Sequence, residues 1–181
     1  LSGGIQTSLV STPYTVFRSR LGEGWTPESR AGSSLAGAVL LASTLFVLSI
    51  LIAAAIGLSD NPPKVARLAW VLVITGPFFL AREFGRRFDF ARRHVGAALF
   101  VDSGVSAPQI MFLVLFLAGG WLVAETAVLA IGLACLTVFA IWFARRRDEF
   151  EIHQSELPTT IRHDWLFGRW LLADHVLCVL Q

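Results

Sequence analysis

Apolar stretches long enough to cross a bilayer alternate along this chain with short, arginine-rich gaps. Residues 35–58 carry no charged side chain. A hydrocarbon core of about 30 Å takes roughly 20 residues of helix at about 1.5 Å per residue. Further apolar runs occupy 68–81, 95–124 (interrupted only by Asp102) and 126–144. The pattern predicts full spans at about 35–58, 65–81, 95–118 and 125–144, with partial spans at 5–17 and 165–181. Ser59-Asp60-Asn61-Pro62-Pro63 stops the first full span, because two prolines do not continue a helix and Asp and Asn favour turns. Gly76-Pro77 places a kink in the second span, and Gly119-Gly120-Trp121 closes the third with a tight turn.

Composition points the same way. Hydrophobic residues make up 55% of the 181 and charged residues 15%, with a mean hydropathy of +0.64, whereas soluble domains carry about 25% charged residues. The expected fold is all-α, a polytopic transmembrane helical bundle forming a single membrane domain over 1–181. The chain begins at Leu1 and ends at Leu180-Gln181, within apolar sequence, which reads as part of a larger protein.

A net charge of +2 conceals an asymmetry: 14 of the 15 basic residues are arginine. Five lie at 82–94 and four at 145–164, while the alternate gaps at 59–67 and 119–125 hold Lys64 and Arg67. Basic residues accumulate on the cytoplasmic side of spans, so 18–34, 82–94 and 145–164 are expected in the cytoplasm and the chain in a bacterial inner membrane, multi-pass. Clusters that flank spans speak for topology and against nucleic-acid binding, which wants a basic face on a soluble module. The 18–34 stretch reads as a polar loop. The 82–94 gap has no helix breaker but Gly85; Glu83/Arg87 and Asp89/Arg93 are i,i+4 pairs, and Phe84, Phe88 and Ala91 share a face. A cytoplasmic helical extension with arginines on lipid phosphates is favoured over direct substrate contact.

Enzyme signatures are absent: no GxSxG, no HExxH, no Gly-rich phosphate loop, and no Cys or His cluster at ligand spacing. The chain is therefore read as no enzyme, with no cofactor and no metal. Cys135 and Cys178 lie in apolar sequence as small hydrophobes. Three polar features sit at membrane depth. Asp102 lies about two turns into the third span, where a carboxylate is costly enough to demand a cavity or a partner. A cavity-lining or ion-coupling role and a structural pair with an arginine near a helix end remain equal alternatives. Gln109 is seven residues on, facing the same side, beside Pro108. Arg169, Asp174 and His175 form the second group; Arg169 can snorkel, while Asp174-His175 calls for a cavity. The third is Glu125, read as a carboxylate complementing a helix N-terminus. Transport-pathway candidates are thus Asp102, Gln109, Arg169, Asp174 and His175. Small residues at Ala53/Gly57, Ser103/Ala107 and Ala130/Ala134 permit close helix packing.

The run Phe84-Gly85-Arg86-Arg87-Phe88-Asp89-Phe90-Ala91-Arg92-Arg93, leading to Gly96-Ala97-Ala98-Leu99-Phe100-Val101-Asp102, resembles a bacterial polysaccharide-biosynthesis flippase of the multidrug/oligosaccharidyl-lipid/polysaccharide exporter superfamily. Ser11-Thr12-Pro13-Tyr14-Thr15-Val16-Phe17-Arg18 and Trp165-Leu166-Phe167-Gly168-Arg169-Trp170-Leu171-Leu172 fit at either end. The resemblance implies that the four full spans are the third to sixth of a bundle of twelve or more, the remainder of that bundle being the chain's partner. It also implies alternating access, with two halves rocking about a cationic cavity that holds a lipid-linked glycan. Two other functions compete: a multidrug-type exporter, and a non-transporting scaffold subunit of a polysaccharide assembly complex.

Overall fold

The computed structural model describes residues 27–59 and 62–150, together with single positions or short stretches at 12, 162, 164–166 and 168–170. Four long helices follow one another: α1 (Pro27–Leu58), α2 (Pro63–Ala91), α3 (Val95–Ala118) and α4 (Ala124–Arg146). A single 3-10 turn, Arg147–Glu149, continues α4. No strand occurs among the described residues. All four helices are long and apolar enough to cross a membrane; even the 23-residue α4 reaches about 35 Å at about 1.5 Å per residue. The protein is an all-α bundle of membrane-spanning type.

Two helices are longer than their hydropathy suggests. α1 is already helical at Pro27 rather than only from near residue 35. Residues 27–34, expected in a polar loop, are therefore helical. α2 runs on through Arg82, Arg86 and Arg87 to Ala91, so most of the predicted gap at 82–94 is the last turns of a span-length helix. α3 coincides with the expected 95–118, and α4 exceeds 125–144 by one residue before and two after.

The connections are short, and four of the helix ends close on hydrogen bonds of their own. α1 ends with Ser59 Oγ donating to the Ile56 carbonyl at 2.8 Å. α2 ends in a turn in which the Arg93 N–H bonds the Phe90 carbonyl (2.9 Å) and the His94 N–H bonds Asp89 (2.9 Å). This doubly bonded closure requires a left-handed residue, and Arg93 supplies it at φ 61. The same closure recurs after α3, with Gly120 at φ 70 and the Trp121 N–H on the Phe116 carbonyl at 2.9 Å. α4 begins where the Val123 N–H donates to Thr126 Oγ1 at 2.9 Å, and Glu125 lies in its first turn, as expected.

Short links between helices of this length make neighbours antiparallel. The start of α1, the end of α2, the start of α3 and the end of α4 consequently share one end of the bundle. α2 and α4 form the most extensive interface. They approach so closely at Gly132 that a Cβ there would stand 2.5 Å from Thr75 Cγ2. Ala130 and Ala134 flank this crossing, fully buried, as small residues in a membrane interface should be. Of the other small pairs, Ala53 is buried but Gly57 is exposed; Ser103 and Ala107 are exposed, and Gly104 packs on Val138 instead. The outer faces carry exposed Leu40, Val47, Leu51, Ile110, Val114 and Leu117, an apolar band that suits hydrocarbon rather than water.

Candidate functional site

The polar chemistry of the described bundle concentrates at the end shared by the last turns of α2 and α4. It divides into two ion-pair arrays, the second of them bonded to an aromatic layer. The layer is built from the Phe84/Phe88 face of α2, which meets Trp142 of α4 edge-on at centroid distances of 6.3 and 5.7 Å. Phe139 and Phe150 complete it. Such edge-to-face contacts match the positive rim of one ring to the negative face of another.

The first array joins α2 to α3. Arg82 Nη2 donates to Asp102 Oδ1 at 2.7 Å, and Arg86 Nη1 approaches Asp102 Oδ2 at 3.7 Å. Arg86 is meanwhile held by Glu83 through two bonds, Nε to Oε2 at 3.1 Å and Nη2 to Oε1 at 2.7 Å. Arg87 Nε donates to the same Glu83 Oε1. The Asp102 carboxylate thus meets guanidinium groups from the adjoining helix. Gln109 is half-buried, and its side chain makes no hydrogen bond to another described residue.

The second array joins α2 to α4. Asp89 is completely buried. Its Oδ2 accepts from Trp142 Nε1 at 2.8 Å, and its Oδ1 stands 3.0 Å from Arg146 Nη2, close enough for an ion pair but off the line of a hydrogen bond. Arg146 also donates to Glu149 Oε1 at 3.0 Å, and Arg92 Nη1 pairs with Glu149 Oε2. Arg92 lies over the Phe88 ring at 4.5 Å. Asp89 and Arg93 do not pair as their spacing suggests: Asp89 turns into the α2–α4 interface, and the left-handed turn at Arg93 ends the helix between them. The expected Glu83–Arg87 pair does form.

The i,i+4 spacing assigns Asp89 to Arg93 rather than to α4, and neither Trp142 nor Glu149 stands out in the sequence as part of a polar site. Trp142 reads as an interfacial tryptophan near a span end, yet it is buried. A signal was present in Gly85 and Asp89, one helical turn apart. Gly85 makes room for the indole, since a Cβ there would lie 3.2 Å from Trp142 Cδ2, and Asp89 accepts the indole proton. Glu149 lies past the end of α4, where hydropathy carries no information.

Arg169 is exposed and rests against Trp170, 5.3 Å from its centroid. Asp174, His175 and, but for residue 12, the partial span at 5–17 lie outside the described residues, as does 171–181 of the other partial span. Among the described residues no three His, Cys, Asp or Glu side chains group closely enough to hold a metal ion. A cavity of about 420 Å³ opens beside the second array, lined by Ala97, Phe100, Trp142, Arg145, Arg146 and Glu149; neither Asp102 nor Gln109 is among its walls.

Fold and polar end together define a membrane-spanning helical bundle whose helices are cross-tied at one end by buried and half-buried ion pairs. Comparisons with protein-family models, curated proteins and solved structures find no match to this chain.

Proposed function

We propose that the chain is a transport module of the oligosaccharide-flippase type, moving a lipid-linked glycan or polymer precursor by alternating access. We place it in a bacterial inner membrane, with its arginine-rich end in the cytoplasm. The single observation behind this reading is the segment 84–102, whose resemblance to such flippases falls on the α2–α3 corner that carries the first ion-pair array. Arg82, Arg86 and Asp102 tie α2 to α3 there. A rocking motion that slides one helix past the other must exchange those partners, and a two-state element of this kind is what alternating access needs. The asymmetry of basic residues between the two ends supports the orientation.

The test is reconstitution of the product of the complete coding sequence into liposomes that carry a fluorescent polyprenyl-pyrophosphate oligosaccharide. Loss of label to a membrane-impermeant quencher reports flipping. Accelerated flipping that drops about tenfold in Asp102→Asn supports the proposal; a rate equal to protein-free liposomes sinks it.

One observation favours a second reading, the non-transporting scaffold. Asp102 is already engaged by two arginines, an arrangement that suits a fixed joint as well as a moving one. A scaffold predicts that Asp102→Asn leaves glycan assembly intact in cells, while variants at the α2–α4 crossing abolish it.

A further inference from the structure

The cavity beside the second array carries more positive charge than its surroundings neutralise. Arg146 is committed to Asp89 and Glu149, and Glu149 is in turn shared with Arg92. These groups balance among themselves. Arg145 is different: its guanidinium lies 5.5 Å from the centroid of Phe100 and has no carboxylate partner among the described residues. It stands exposed at the mouth of the notch. Ala97, which also lines the notch, belongs to the first turn of α3; its N–H is taken by the His94 carbonyl at 3.0 Å, but the helix dipole at this end still favours an anion.

Around this positive notch the surface is apolar. Leu99 and Phe100 of α3 and Ile141 of α4 are all exposed. Ile141 stands one turn before Arg145, so a chain leaving the notch towards the bundle's middle meets hydrocarbon side chains. Free phosphate has no use for such a wall; an acylated phosphate does.

We infer that the notch between the start of α3 and the end of α4 binds the phosphate of an anionic phospholipid headgroup. Arg145 is the ligand-facing cation, and an acyl chain lies along Phe100 and Ile141. The site is independent of the transport reading, since a scaffold would use a lipid anchor equally well.

Native mass spectrometry of the detergent-purified chain, titrated with phosphatidylglycerol or with phosphatidylcholine, tests it. The wild type should retain phosphatidylglycerol preferentially, and Arg145→Gln should weaken that binding about fivefold, the effect of one interfacial arginine. Arg67→Gln removes the same charge from an exposed position at the opposite end and should leave binding unchanged. Ala97→Asp is the second variant: a carboxylate in the first turn suits the helix yet repels phosphate, so binding should fall while the helical circular dichroism is kept. Equal retention of the two lipids, or equal losses in Arg145→Gln and Arg67→Gln, would overturn the inference. So would displacement of phosphatidylglycerol by excess inorganic phosphate, which would make this a site for free phosphate.

Discussion

Asp89 is the residue on which the polar end depends most. Its carboxylate is wholly buried, accepts the Trp142 indole proton and faces Arg146. Removing it strands the Trp142 N–H and leaves Arg146 with Glu149 alone; breaking a buried pair costs about 3–5 kcal/mol, and the remaining partner puts this case at the lower end. Asp89→Ala should therefore lower unfolding stability in detergent micelles by about 3 kcal/mol. Asp89→Asn, which keeps an oxygen for the indole, should cost less. Trp142→Phe keeps most of the ring packing but strands Asp89 Oδ2, for about 1–3 kcal/mol. Because Asp89→Ala and Trp142→Phe both remove the same bond, the double variant Asp89→Ala/Trp142→Phe should cost less than the sum of the singles; strict additivity would mean that the two side chains do not interact.

Helix ends supply a second test, in which two similar turns predict opposite signs. Both the α2 and α3 terminations need a left-handed residue; one uses Gly120 and the other Arg93. The left-handed conformation costs a side-chain-bearing residue about 1–2 kcal/mol, and glycine returns part of the difference through its greater freedom when unfolded. Arg93→Gly should accordingly stabilise by about 0.5–1 kcal/mol, and Gly120→Ala should destabilise by a similar amount, as read from thermal unfolding midpoints. The α2–α4 crossing is stricter. Gly132→Ala would press a methyl to 2.5 Å from Thr75 Cγ2, and overpacking of this kind costs about 1–3 kcal/mol. Moving the glycine across the interface, in Thr75→Gly/Gly132→Ala, should recover much of that loss.

Elements were legible where hydropathy and helix coincide. α3 has an apolar body, a preceding turn and glycines at its exit, so its bounds could be read directly. The last turns of α2 could not, because Arg82–Arg87 look like a gap to any measure of apolarity, although nothing there breaks a helix. The same separation hid the site. Asp102 announced itself as a lone charge in an apolar run, whereas Asp89 sat among arginines in sequence and left them only in three dimensions, where Gly85 opened space for Trp142.

At the scale of the whole molecule, the antiparallel order of four helices gathers, beside Arg30 of α1, the eight arginines of 82–93 and 145–147 at one end: Arg82, Arg86, Arg87, Arg92, Arg93, Arg145, Arg146 and Arg147. The opposite end holds Lys64 and Arg67. Several of the eight are paired, but Arg93 and Arg145 have no acidic partner among the described residues, and the exposed Arg147 makes only a surface pair with Asp148. Exposed pairs contribute little energy, so the orienting charge at this end exceeds what the ion pairs cancel. Arginine and lysine bias, rather than net charge, sets which side stays in the cytoplasm. Single cysteines can read that out once Cys135 and Cys178 are replaced by serine or alanine. Asp148→Cys and Ser59→Cys lie at opposite ends of the bundle on exposed positions. In intact cells a membrane-impermeant maleimide should label Ser59→Cys and spare Asp148→Cys until the membrane is permeabilised. Labelling in the reverse order would place the arginines outside. Labelling of both from outside would mean that these helices do not span.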